Sequence, residues 1–144
     1  MRVNCMFEIK TDDTLFRFTF IERLEEPEDR RYDLIMCWLE TEGSGISLAC
    51  ECEFSLFDLE ELRDKLSYFY QLLSENKQPS PITWAPRVPT FNIDIISDDN
   101  FLAVGFNFKI TPNILTRWTL EGGTLIDQTY FPDLIRGIDS ILTN

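Results

Sequence analysis

Apolar and polar residues alternate along much of this chain, and twice the pattern switches to a spacing of three and four. Leu15 to Ile21 is the clearest alternating stretch. Phe16, Phe18 and Phe20 share one face there, and Arg17 and Thr19 share the other. Ile46 to Phe54 reads the same way, which predicts Ile46, Leu48, Cys50, Cys52 and Phe54 inward and Ser47, Ala49, Glu51 and Glu53 outward. Tyr32 to Glu40 is almost continuously apolar, as expected of a strand covered on both faces. Val3 to Ile9, Thr90 to Ile96, Phe101 to Ile110 and Ile114 to Leu120 complete the predicted strands. Turn chemistry separates them at 11–14, 42–45, 98–100 and 111–113. Gly122-Gly123 marks a bulge or bend before Leu125 and Ile126.

The first helical stripe is Leu59, Leu62, Leu66, Phe69, Tyr70 and Leu73. Ser55 or Asp58 caps it, and Asp58 with Glu61 has capping-box spacing. The second stripe is Phe131, Leu134, Ile135, Ile138, Ile141 and Leu142, joined to the preceding strand through Asp127-Gln128-Thr129, with Pro132 tolerated in its first turn. Aligning Ser55 with Asp127 superposes the two. Leu59 meets Phe131, Leu62 meets Leu134, Leu66 meets Ile138 and Phe69 meets Ile141. The chain thus reads as one domain, 1–144, made of two half-repeats at about 1–78 and 82–144. A crossover at 79–89 links them; its four prolines forbid a helix, and Ile82 and Trp84 anchor it to the core. The expected fold class is α+β, an antiparallel sheet with two helices packed on one face.

Composition adds a full core, since 44% of residues are hydrophobic and twelve are phenylalanine. It also adds charge. Twenty-five acidic residues against 13 basic ones give a net −12. A surface this acidic repels phosphate backbones and anionic lipid heads, which predicts no nucleic-acid and no membrane partner. It attracts a basic protein, chiefly through a salt-sensitive on-rate, and it serves solubility in any case. No stretch has the pattern of a signal peptide or a membrane span, so the expectation is a cytoplasmic protein.

The chemistry is sparse. There is no histidine, which removes Ser-His and Cys-His nucleophiles and every His-bearing metal site. Cys5, Cys37, Cys50 and Cys52 form no CxxC pair, and they read as reduced, core-packed thiols. The carboxylate pairs Asp12-Asp13, Glu25-Glu26 and Asp98-Asp99 sit in turns, where a raised pKa is not expected. Asp98-Asp99-Asn100 lacks the spaced ligands of a calcium loop. Neither glycine pair precedes a Lys-Ser/Thr phosphate cradle. No catalytic residue, metal site or cofactor is expected, and the chain does not read as an enzyme.

The closing stretch IDQTYFPDLIRGIDSIL resembles the C-terminal signature of the WapI-like immunity proteins, and FSLFDLEELRDKLSYFYQLL resembles that family's mid-chain helix. The order of strands, helix, strands, helix and the chain length agree with the resemblance. The acidic loop at 22–31 and the proline-rich crossover depart from it. The resemblance implies a bacterial cytoplasmic protein that binds and neutralises a cognate polymorphic toxin, and the acidic surface would suit a basic one such as a nuclease. Asp127, Thr129 and Tyr130 are expected to join strand to helix. Contacts with the toxin are assigned to acidic loops, at Glu25, Glu26, Glu28, Asp29, Asp98 and Asp99. Two other classes stay open: a protein-interaction or accessory module with another partner, and a small enzyme, which would need a deep pocket around a buried carboxylate.

Overall fold

The alternating segments pair in chain order. A computed structural model describes residues 5–98, 103–113 and 115–144. In it, β1 (Met6–Lys10), β2 (Thr14–Leu24), β3 (Leu34–Gly43) and β4 (Ile46–Ser55) form one antiparallel meander, followed directly by α1 (Leu56–Ser74). A second meander of β5 (Ile82–Trp84), β6 (Phe91–Ser97), β7 (Val104–Ile110) and β8 (Leu120–Ile126) is followed by α2 (Phe131–Leu142). The fold is α+β, and each half runs four strands then a helix. The strands form two sheets rather than the one expected. No loop separates β4 from α1, so the chain leaves the first sheet before β5 forms, and β5 then pairs with β6.

Aromatic rings join the two sheets. Phe7, Phe16, Phe18 and Phe54 line the inner side of the first, and Trp84, Phe91, Phe106 and Phe108 that of the second; all are buried. Phe16 lies 5.2 Å from Phe106 and 4.9 Å from Phe108 between ring centroids, and Phe54 lies 5.9 Å from Trp84. The helical stripes behave as the alignment predicts, with Leu59, Leu62, Leu66, Phe69, Phe131, Leu134, Ile138 and Ile141 all buried. Phe69 stacks on Phe131 at 5.4 Å, so the two helices meet through aligned halves of the sequence.

Local chemistry fixes the joints. Ser55 caps α1: its Oγ accepts from the Asp58 amide at 3.1 Å, and Asp58 Oδ2 accepts from the Ser55 amide at 2.9 Å. The capping box is therefore Ser55 with Asp58 rather than Asp58 with Glu61. Trp84 Nε1 donates to the Asp58 carbonyl at 3.0 Å, which anchors the crossover to the helix start. Both box residues are buried, so Ser55→Ala is expected to cost about 1–2 kcal/mol, near the upper end for caps, read as a lower thermal midpoint. At the second joint Asp127 Oδ1 accepts from the Thr129 amide at 2.8 Å, opening a short 3-10 turn (Gln128–Tyr130) that feeds α2. Ser44 (φ 51°) and Gly45 (φ 77°) make a tight two-residue turn between β3 and β4, as left-handed residues do in hairpins.

Three boundaries differ from expectation. Ile46 is 55% exposed and Leu48 and Cys50 are half-buried, because the inner face of β4 enters the core only at Cys52 and Phe54. The charged segment expected from Glu22 is shorter, since β2 continues through Leu24 after a bulge between Phe20 and Glu22. Of the strand expected over 114–120, Ile114 lies outside the described residues, 115–119 form an irregular connection, and Leu120 opens β8, which carries Gly122 and Gly123 within it. Their places suit glycine: a Cβ on Gly122 would lie 2.7 Å from the Phe108 ring, and one on Gly123 would overlap the Asn107 side chain.

Candidate functional site

The acidic residues assigned to partner contact divide. Glu25, Glu26 and Glu28 are exposed on the β2–β3 connection, and Asp98 is exposed after β6. Asp99 lies outside the described residues. Asp29 has a local task. Its carboxylate accepts from the Arg31 amide at 3.0 Å and pairs with the Arg31 guanidinium at 2.8 Å, which holds it below the usual carboxylate range. It caps a one-turn 3-10 segment (Arg30–Tyr32).

The residue that organises this corner is Asp33, which charge counting passes over. It is buried, and its Oδ1 accepts from the Glu26 amide at 2.7 Å while Oδ2 accepts from Arg23 at 2.8 and 2.9 Å. The Glu26 amide, followed by the Arg23 guanidinium, depresses its pKa against the opposing effect of burial. A carboxylate held ionised cannot serve as a general acid at neutral pH. Arg23 also donates to the Leu142 carbonyl at 3.1 Å, and the Asp33 carbonyl accepts from the Leu56 amide at 3.2 Å. Asp33 therefore holds two loops and a helix start in place.

The thiols are equally quiet. Cys37 and Cys52 are direct partners across β3 and β4, and both are buried. Burial pushes Cys37 up to about 12 and Cys52 higher still. Neither is a thiolate at neutral pH, so neither is a nucleophile or a ready metal ligand. No group of three or more candidate metal-ligating side chains occurs among the described residues.

What remains is surface, and the two sheets differ there. Register puts Glu8, Arg17 and Glu40 in one outward row of the first sheet, with Arg17 bridging both carboxylates at 2.9 and 3.1 Å. Glu22, Glu51 and Glu53 add to the same face around Trp38. The outward face of the second sheet carries less acid. Its rows are Thr83, Asp94, Asn107 and Gly123, then Asn92, Lys109 and Glu121, then Ile96, Gly105 and Leu125. Asn92, Asp94, Asn107, Lys109 and Glu121 line an open hollow of about 460 Å³. At the Lys109–Glu121 end of this sheet, residues 115–119 run up to β8 and carry Leu115, Arg117 and Trp118. Trp118 is 79% exposed and Leu115 89%. Reading 114–120 as a strand concealed this feature, because a strand would have buried one side of it.

No protein-family model matches the chain, and no curated protein matches it. Solved structures of the same architecture do. WHY1 from Arabidopsis thaliana is 11% identical with a TM-score of 0.51, over 99% of this chain and 85% of the other. The plant transcriptional regulator PBF-2 is 10% identical with a TM-score of 0.52, over 99% of this chain and 90% of the other. At such identity the likeness is one of fold. It nevertheless corrects the expected partner, a toxin implied by the resemblance with nucleic acid excluded on net charge. A protein of this architecture is a plant transcriptional regulator, and both parts of that expectation, the toxin and the exclusion of nucleic acid, are withdrawn. Among the described residues no helix is long and apolar enough to cross a membrane.

Proposed function

We propose that this chain is a non-catalytic binding module that engages single-stranded nucleic acid on the outward face of its second sheet and the adjoining residues 115–119. The observation that carries the reading is the exposed Arg117-Trp118 pair at the end of a face that mixes amides and glycine with Lys109, Asp94 and Glu121. An indole open to solvent offers a stacking platform, and base–aromatic stacking is worth about 1–3 kcal/mol per base. Arg117 and Lys109 can meet phosphates, and Asn92 and Asn107 can hydrogen-bond base edges. A single strand suits this surface better than a duplex, because its bases are free to stack and its charge density is lower. The likeness to a transcriptional regulator supports the same partner class. The absence of histidine and the depressed Asp33 support the non-catalytic half of the reading.

Net charge limits the strength. With two cations at the site, counterion release gives a log–log salt slope of only about −1.4 for a single strand, and the acidic remainder flattens it further. Titrating a fluorescein-labelled oligothymidylate by anisotropy should therefore show weak binding with little salt dependence. Trp118→Ala should weaken it by about 5- to 150-fold, the equivalent of one lost stack. Binding that is undetectable at low salt, or unchanged in Trp118→Ala, would sink the proposal.

A further inference from the structure

The helix α1 carries a second stripe that the core does not use, and from it we infer a docking surface for a cationic, amphipathic segment of a protein partner. Phe57, Glu61, Asp64 and Tyr68 follow one another at four-, three- and four-residue steps along the face opposite Leu59, Leu62 and Leu66, with Glu60 beside them. With Lys65 they line an open groove of about 400 Å³. The rings at its two ends are 47% and 64% exposed, although the helix already buries a complete apolar stripe elsewhere. Phe57 and Tyr68 are eleven residues apart, about 16 Å along the axis, which is the length of about three turns of a docked helix.

The choice of occupant follows from charge. Three carboxylates stand between the rings. Lys65 is drawn aside, with Nζ 3.2 Å from Glu61 and 3.2 Å from the Thr83 carbonyl. Arg63 is shared between Asp64 at 3.2 Å and Asp139 at 3.5 Å. No ion pair to Glu60 is present among the described residues. The groove thus keeps an excess of negative charge between apolar ends, which repels phosphate and favours lysine or arginine. The protein supplies a precedent at one end. The Arg87 guanidinium sits 5.5 Å from the Tyr32 ring centre and 5.7 Å from that of Phe57, held by aromatic faces. A partner's cation over Tyr68, flanked by Glu60 and Asp64, would repeat that chemistry, while its apolar residues covered the rings. This surface is independent of the nucleic-acid reading.

The test uses a labelled helical peptide of repeating Lys-Leu-Leu-Lys pattern and the same peptide with glutamate for lysine, followed by anisotropy. Glu60→Lys/Asp64→Lys and Tyr68→Ala should each weaken binding of the lysine peptide by about tenfold or more, as loss of charge pairing and of one aromatic contact implies. Glu51→Lys/Glu53→Lys on the first sheet changes net charge equally, and it should weaken binding by less than about threefold if the groove is the site. Trp118→Ala should leave it unchanged. Circular dichroism confirms that each variant is folded. Equal losses in the two charge-reversed variants would reduce the effect to diffuse attraction by an acidic protein and overturn the proposal. So would absent binding, or equal binding of the glutamate peptide.

Discussion

Replacing Phe16 with alanine is expected to destabilise the fold by about 3–5 kcal/mol, the range for a large buried ring whose loss leaves a cavity. Phe16 is fully buried and touches rings of both sheets. Phe7 belongs to the first, and Phe91, Phe106 and Phe108 belong to the second, with centroids 4.9 to 6.3 Å away. No neighbour can collapse into the gap without leaving its own partners. Against a total stability of about 5–15 kcal/mol, the loss is a large fraction. Urea titration followed by near-ultraviolet circular dichroism should give a lower midpoint with an unchanged slope. A loss under about 1 kcal/mol would mean that the site relaxes and that Phe16 does not bridge the sheets.

The second large effect runs against helix propensity. Gly137 lies in the middle of α2, where alanine would ordinarily stabilise by about 1 kcal/mol. Here a methyl group would overlap the Met6 carbonyl oxygen, and it would stand 3.2 Å from the Met6 carbonyl carbon and 3.4 Å from Phe7 Cα. These are backbone atoms of β1, so no side chain can swing away, and helix or strand must move. Gly137→Ala is expected to cost about 2–3 kcal/mol, the scale of overpacking. Gly105→Ala is the control. Its nearest atoms would lie at 3.6 and 3.7 Å, ordinary contact distances, so a change within about 0.5 kcal/mol is expected. Equal thermal midpoints for Gly137→Ala and the parent would show that α2 does not rest on β1 as described.

These two positions also mark how far the sequence could be read. The three- and four-residue spacing identified both helices and their buried sides, because a stripe such as Leu59, Leu62, Leu66 and Phe69 has one plausible use. Alternation says which side of a strand is apolar but not which strand it pairs with, so the separation into two sheets was not legible. The same limit applies at Ile46 and Leu48, whose pattern matches that of Cys52 and Phe54 although only the latter are covered. Leu115 and Trp118 look like strand residues, whereas Gly122 and Gly123 look like a break. The opposite holds because the glycines face Phe108 and Asn107 across the sheet. Most of the candidate surfaces depend on such three-dimensional facts. The run of charge around Glu25 was visible, but the burial of Asp33 just beyond it was not. Exposure of Phe57 and Tyr68 on α1 likewise depends on which side of the helix the core takes.

The Arg23–Leu142 hydrogen bond has a kinetic meaning. It closes a loop of 119 residues, from the first sheet to the end of α2. Closing a flexible chain of that length costs about 4 kcal/mol of entropy, more than one hydrogen bond to a charged donor returns. The contact can therefore form only after the sheets and helices have brought its ends together. Asp33, ten residues from Arg23, closes a far shorter loop, at an entropy cost of about 2 kcal/mol. The same guanidinium thus joins a contact that costs little chain entropy to one that depends on nearly the whole fold being in place.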